Sequence, residues 1–300
     1  MSRSLRTLAA CAVAAAAFAF LAPAQAFVLG AYHIMPTPSY KAKLLKEGVP
    51  PPAGPMNYYG GSVFTSSKVV SVMWGSDVNS TIVSTIPGFS TAIVNSTYVD
   101  QMAQYNTKGV HAINGHKSTK QKIGRGTYLG QVVIDPENKN TSLTDDDVQA
   151  EIKHQIKIGA LPPKDLNTLY MVYFPSSVTI TLDGLTSCQD FGAYHFATND
   201  LKLAKGNIFY TVEPDCHSSI NSITFAASHE FAEATTDNVP TPGSFPDFPQ
   251  AWNDANGFEI GDLCGTSGQL TDTTTSNHWT VTQYFLNSTM HCSTGNYTSP

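Results

Sequence analysis

Basic charge is short in this 300-residue chain: Lys and Arg number 17 against 23 Asp and Glu, and arginine occurs only at Arg3, Arg6 and Arg125. A nucleic-acid surface needs clustered cations that displace phosphate counterions, so that class of partner is excluded. Charge of either sign is scarce, at 13%, while Ser, Thr, Asn, Gly and Tyr are plentiful, as on secreted surfaces. A group of carboxylates therefore says more here than it would elsewhere. The sequence also lacks a G-x-S-x-G elbow, which argues against an α/β-hydrolase nucleophile. It has no C-x-x-C pair, so its cysteines are poor candidates for a zinc knuckle.

Long apolar runs are absent as well. The longest, Leu8 to Leu21, is too short for a membrane anchor. With Arg3 and Arg6 before it, and Pro23 and Ala24-Gln25-Ala26 after it, residues 1–26 read as a cleavable signal peptide. The expected product is a secreted chain, extracellular or periplasmic, that starts at Phe27 and has no membrane anchor. Losing Arg3 and Arg6 moves the formal charge from −6 to −8 (−6 − 2). Leu8-Ala9-Ala10-Cys11 imitates a lipidation box, but its apolar stretch follows the cysteine instead of preceding it. Cys188, Cys216, Cys264 and Cys292 remain. An even count in an oxidising compartment implies two disulfides with three pairings open, and similar loop sizes favour Cys188–Cys216 with Cys264–Cys292.

Residues 27–56 are Pro-rich and read as an extended, poorly packed lead-in. Residues 57–300 are expected to form a single domain. Val69–Trp74, Tyr128–Ile134, Leu169–Phe174, Val178–Leu182 and Ile208–Val212 have strand composition. Pro87 is expected to open a helix reaching Tyr105, with Ile93, Val94, Tyr98 and Met102 on its inner side. Thr144 before Asp145-Asp146-Asp147 is a helix start, Val148, Ile152 and Ile156 form its buried stripe, and Gly159 closes it. The expected class is α/β, a mixed sheet with packed helices and a loop-rich C-terminal part.

The chemistry concentrates in Ser228-His229-Glu230-Phe231-Ala232-Glu233. Ser219 or Ser222 can cap this Ala-rich helix, and His229 and Glu233, four apart, project from one side of it. Zinc helices of the H-E-x-x-H type hold metal with the i and i+4 residues and use the intervening Glu as base. Here a carboxylate replaces the second histidine, which zinc accepts. Glu259 or Asp262 is the expected third metal ligand, and Glu230 the expected catalytic base. The bland reading is a buried polar network without metal. Asp254-Ala255-Asn256-Gly257 raises a structural calcium site, although it lacks an EF-hand loop. His195, His217 and His278 are side candidates for a fourth ligand or for orienting substrate, each first read as structural.

Several islands resemble the superfamily of plant exordium (phosphate-induced) proteins and their secreted bacterial relatives. They are Tyr58-Tyr59-Gly60-Gly61, Val72-Met73-Trp74-Gly75, Cys188 with Gly192-x-Tyr194-His195, and Ile208-Phe209-Tyr210 before Cys216. Resemblance to the bacterial members centres on Ser228-His229-Glu230-x-x-Glu233-x-x-Thr236-Asp237 and Glu259-Ile260-Gly261-Asp262-Leu263-Cys264. The resemblance implies secretion and an α/β domain, without settling an activity. The leading expectation is a monomeric zinc-dependent hydrolase of zincin-like architecture, a peptidase acting on peptide or on cell-wall polymer. The alternative is a non-catalytic extracellular or wall-binding protein of the exordium type. A glycosidase using Glu230, Glu233 and Glu259 is a distant third.

Overall fold

The computed structural model describes residues 33–198, 206–240, 246–271 and 277–294, so the signal segment and the start at Phe27 lie outside the described residues. Six strands form the main sheet: β1 (Ile34–Pro36), β2 (Lys68–Trp74), β3 (Thr127–Ile134), β4 (Thr168–Phe174), β5 (Phe191–Ala197) and β6 (Phe209–Pro214). Their order is β1-β5-β6-β4-β2-β3. The run from β6 to β3 is parallel, whereas β5 and β1 are antiparallel to their neighbours. The class is therefore mixed α/β.

The β2 run Val69-Val70-Ser71-Val72-Met73-Trp74 is buried throughout, as a central parallel strand covered on both faces must be. Alternate residues point to opposite sides. Val69, Met73, Leu169, Met171 and Phe209 meet helices α2 (Ser80–Val94), α3 (Thr97–Met102) and α5 (Ile220–Thr236) on one face. Val70, Val72, Tyr170, Val172 and Tyr210 meet α4 (Asp145–Lys157) on the other.

Helix α4 starts where expected. The Thr144 hydroxyl accepts from the Asp147 N–H and the Asp147 carboxylate accepts from the Thr144 N–H, a complete capping box. Gly159, at φ +78°, follows its end. Pro87, by contrast, does not open a helix but lies inside α2, which begins at Ser80 under an Asn79 cap. The chain then breaks before α3 instead of continuing as one helix to Tyr105. Ile93, Val94, Tyr98 and Met102 are nonetheless all buried. The strand expected at Val178–Leu182 forms as Thr179–Leu182, but pairs in a small separate sheet with Ser142–Thr144 and Leu185–Thr186.

The lead-in is better packed than its proline content suggests. β1 pairs antiparallel with β5, and Ile34 and Leu44, the latter in α1 (Pro38–Lys46), are buried. The C-terminal part also carries strands, in the hairpins β7 (Ser267–Thr271) with β8 (His278–Thr282) and β9 (Tyr284–Leu286) with β10 (His291–Ser293). Both disulfides take the favoured pairing, Cys188–Cys216 and Cys264–Cys292. Each stabilises by about 3 kcal/mol on the loop-entropy account. Disulfides accord with an oxidising compartment, and among the described residues no helix is long and apolar enough to cross a membrane.

Candidate metal centre

Helix α5 is buried on nearly every side from Ile223 to Thr236. Ser219 caps it by accepting from the Ser222 N–H, and its alanines let the sheet, α2 and β8 approach closely. The β8 side is fixed by the Ser228 hydroxyl accepting from the Thr282 N–H at 2.7 Å. A helix so enclosed has no exposed face on which to leave charge, yet it carries His229, Glu230 and Glu233, exposed by 3%, 0% and 1%.

Further polar groups converge on them. β5 contributes His195, β6 contributes Glu213, and the residue before β1 contributes His33, all buried. The loop after Trp252 adds Glu259 and Asp262, and Asp237 caps the C-terminal end of α5. Six carboxylates and three imidazoles thus share one interior. Among the described residues, no lysine or arginine pairs with any of them. Buried charge without counter-charge is costly, so protons or cations must balance this group.

His229 Nε2 lies 3.0 Å from Glu233 Oε1 and 3.7 Å from Asp262 Oδ1. Neither ring nitrogen of His229 makes a hydrogen bond. Proximity without hydrogen-bond alignment is what two donors show when both aim at a third atom. Tetrahedral ligands on bonds of about 2.0–2.1 Å sit roughly 3.3 Å apart, and these separations bracket that value. The surroundings hold the carboxylates in place. Glu233 Oε1 accepts from the N–H groups of Gly261 and Asp262, each at 3.2 Å. Asp262 Oδ2 accepts from the Glu259 N–H at 3.1 Å. A Cβ on Gly261 would stand 2.7 Å from His229 Nδ1 and 2.8 Å from Glu233 Oε1, so only glycine lets the loop close over the pair. Two residues beyond Asp262, the Cys264–Cys292 disulfide pins the same loop.

The turn that brings Asp262 to His229 sends Glu259 elsewhere. Its Oε2 is 2.6 Å from His33 Nδ1, and its Oε1 is 3.5 Å from His195 Nε2. Of the two expected third ligands, Asp262 therefore shares the His229 site and Glu259 does not. Glu230 stands against His195, 3.3 Å from Nδ1. Asp254, in the stretch read for calcium, has both oxygens taken by backbone N–H groups of Ala53, Asn256 and Phe258. These bonds shape a turn around Asp254.

Proton affinities follow from burial. Burial raises Glu233 to about 7, against the opposing pull of His229. It likewise raises Glu213 to about 8, although the Thr211 hydroxyl pulls the other way. Glu230 and Glu259 are held well above the usual carboxylate range by burial and by their acidic neighbours. Burial alone would lower His229, but Glu233, Asp262 and Glu230 outweigh it and hold the imidazole well above its ordinary value. His33 is pushed down to about 4 by burial, and His195 is held well below its ordinary value by burial and by His33.

A cleft of about 460 Å³ reaches this group from outside, with His229 and Asp262 among the residues that line it. Its walls are mostly apolar, formed by β1 at Met35 and Pro36, by the Cys188–Cys216 disulfide and by the first turns of α5. His33, His195 and Glu213 complete the interior without belonging to the helix motif. His195 and Glu213 join it from strands β5 and β6, and His33 from just before β1, proximities that a single sequence does not display. Comparison with family models, with curated proteins and with solved structures finds no match to this chain.

Proposed function

We propose that this chain is a secreted zinc-dependent hydrolase of zincin-like architecture, a peptidase that takes peptide or cell-wall polymer into the cleft. The observation that carries the reading is the His229–Glu233–Asp262 group, whose donor atoms all lie within 4.8 Å of one another beside an open cleft. One imidazole nitrogen and two carboxylate oxygens are a donor set that zinc accepts, with room for water or substrate in a remaining position. These residues would hold the ion, and when bound it would polarise a carbonyl and acidify a water.

The rest of the work falls to the chain. The N–H groups of Gly261 and Asp262 fix Glu233. The Glu259 N–H fixes Asp262, and the apolar cleft walls offer a surface for substrate side chains. Glu230 does not line the cleft. Its position against His195 suits holding a proton or cation deep in the site better than drawing a proton from cleft water. The mixed sheet, with its motif helix packed beside the antiparallel edge strands, supports the zincin-like reading.

A second reading, the non-catalytic wall-binding protein of the exordium type, draws support from the histidine–carboxylate contacts, which by themselves form a polar network. Zinc content and peptide hydrolysis of the purified protein, compared with His229→Ala, separate the two. The hydrolase reading expects stoichiometric zinc and chelator-sensitive cleavage, both lost in the variant. The network reading expects neither, and only a loss of stability on substitution.

A further inference from the structure

We propose that Glu233 bridges two divalent cations, the first held with His229 and Asp262 and a second, deeper one held with His195 and Glu230. This rests on the metal reading of His229, Glu233 and Asp262 and extends it.

The two oxygens of Glu233 serve different histidines. Oε1 lies 3.0 Å from His229 Nε2, and Oε2 lies 3.9 Å from His195 Nδ1. The tautomer of His195 is set by chemistry. Its Nε2 is 3.0 Å from the Asp237 carbonyl oxygen, which can only accept, so Nε2 carries the hydrogen. In the neutral ring this leaves Nδ1 with a lone pair. That lone pair faces Glu230 Oε2 at 3.3 Å as well as Glu233 Oε2. Nδ1 and Glu230 Oε2 are at hydrogen-bond distance, so this contact takes either a proton on Glu230 or a cation that also reaches Glu233 Oε2. Glu230 Oε1 and Glu233 Oε2 have no hydrogen-bond partner, and both side chains are buried.

The three residues bring one donor atom each within 4.8 Å of the others. Ligands at right angles on bonds of about 2.1 Å sit roughly 3 Å apart, so small side-chain adjustments close this site on an ion. A backbone carbonyl behind the far ring nitrogen is the usual support for a metal-bound histidine. The Asp237 carbonyl supplies it, with Glu259 Oε1 3.5 Å from the same nitrogen. One imidazole and two carboxylates suit a borderline divalent ion, zinc or manganese. Metal pairs about 3.5–4 Å apart are a recurring hydrolytic arrangement. On this account Glu230 is a metal ligand and not the base its sequence position suggests.

The test is manganese and zinc loading of the metal-stripped purified protein, with metal counted after desalting and Mn²⁺ read by electron paramagnetic resonance. The expected result is two ions per chain and an exchange-coupled manganese signal in the unsubstituted protein, which needs no variant to fold. Glu230→Gln and His195→Asn should each retain one ion with an uncoupled six-line signal. One uncoupled ion per chain, lost in His229→Ala and unchanged in Glu230→Gln, overturns the second site and leaves the first standing. Binding of neither metal overturns both.

Discussion

On one face of the sheet, Asp145 is buried with every need met. Its Oδ1 accepts from the Tyr194 and Tyr210 hydroxyls at 2.6 and 2.7 Å, and its Oδ2 accepts from the Gln149 amide at 2.8 Å. It also stands in the first turn of α4, where the helix dipole favours a negative group. On the opposite face, Glu230, Glu233 and Glu259 are just as buried, yet each has at least one oxygen without a hydrogen-bond partner, and they share their interior with further carboxylates. Burial is common to both faces; the supply of donors is not. A buried acid surrounded by donors is part of the framework. One left with an unpaired oxygen beside other acids needs a proton or a cation, and this contrast separates scaffold from site more sharply than the helix motif does.

The contrast breaks most visibly when metal is removed. Chelation should destabilise the protein by about 4 kcal/mol if zinc is present at a thousand times its dissociation constant. Denaturant titration with and without chelator reads this, and equal midpoints would erase the distinction between the faces. Next in size is Asp145→Ala, which strands two hydroxyls and an amide and should cost about 3 kcal/mol. Its zinc content should be unchanged, and a loss of zinc would mean that the two faces are not independent.

A pH series should give a smaller effect. In the chelated protein His229, Glu213 and Glu233 bind protons more tightly folded than unfolded. The folded state then holds the extra protons, so their contribution to stability falls as pH rises from about 4.5 through about 7 for Glu233 and about 8 for Glu213, with His229 adding to the loss above 6.5. His33, lowered to about 4, acts only on the acid side and removes stability as pH falls from its ordinary 6.5 towards 4. Zinc displaces the protons from its ligands, so the His229 and Glu233 share of the decline with rising pH should vanish in the loaded protein, leaving the share of Glu213, which is not a ligand. A decline of the same size with zinc bound would argue against those ligands. The smallest change is Gly261→Ala, whose methyl group would press on His229 and Glu233. It should weaken zinc binding about tenfold, in line with other perturbed ligand supports, and unaltered affinity would show that the loop does not hold the pair.

Much of the scaffold is legible in the chain because its signals are local. The Thr144 cap with its acidic first turn marks α4, the Ser219 cap marks α5, and the Val69–Trp74 run marks a central strand. Helical spacing alone places His229 beside Glu233, and the acidic loop offers Asp262. What stays hidden is set by distant partners. Three residues of β1 form a strand only because β5 is there to pair with them, so prolines around His33 read as a spacer. His195, only a side candidate in the sequence, sits opposite Thr211 in the register of β5 against β6, and Glu213 follows on the same strand β6; no local pattern records that they meet the helix motif. Glu259 and Asp262 look equivalent in sequence, and only the fold of their loop sends one to His33 and the other to His229.

Anomalous diffraction at the zinc edge, from crystals of the purified protein grown with zinc, tests the metal centre most directly. The account predicts a peak among His229 Nε2, Glu233 Oε1 and Asp262 Oδ1. A well-ordered site with no peak there, and with His229 hydrogen-bonded directly to Glu233, would contradict it.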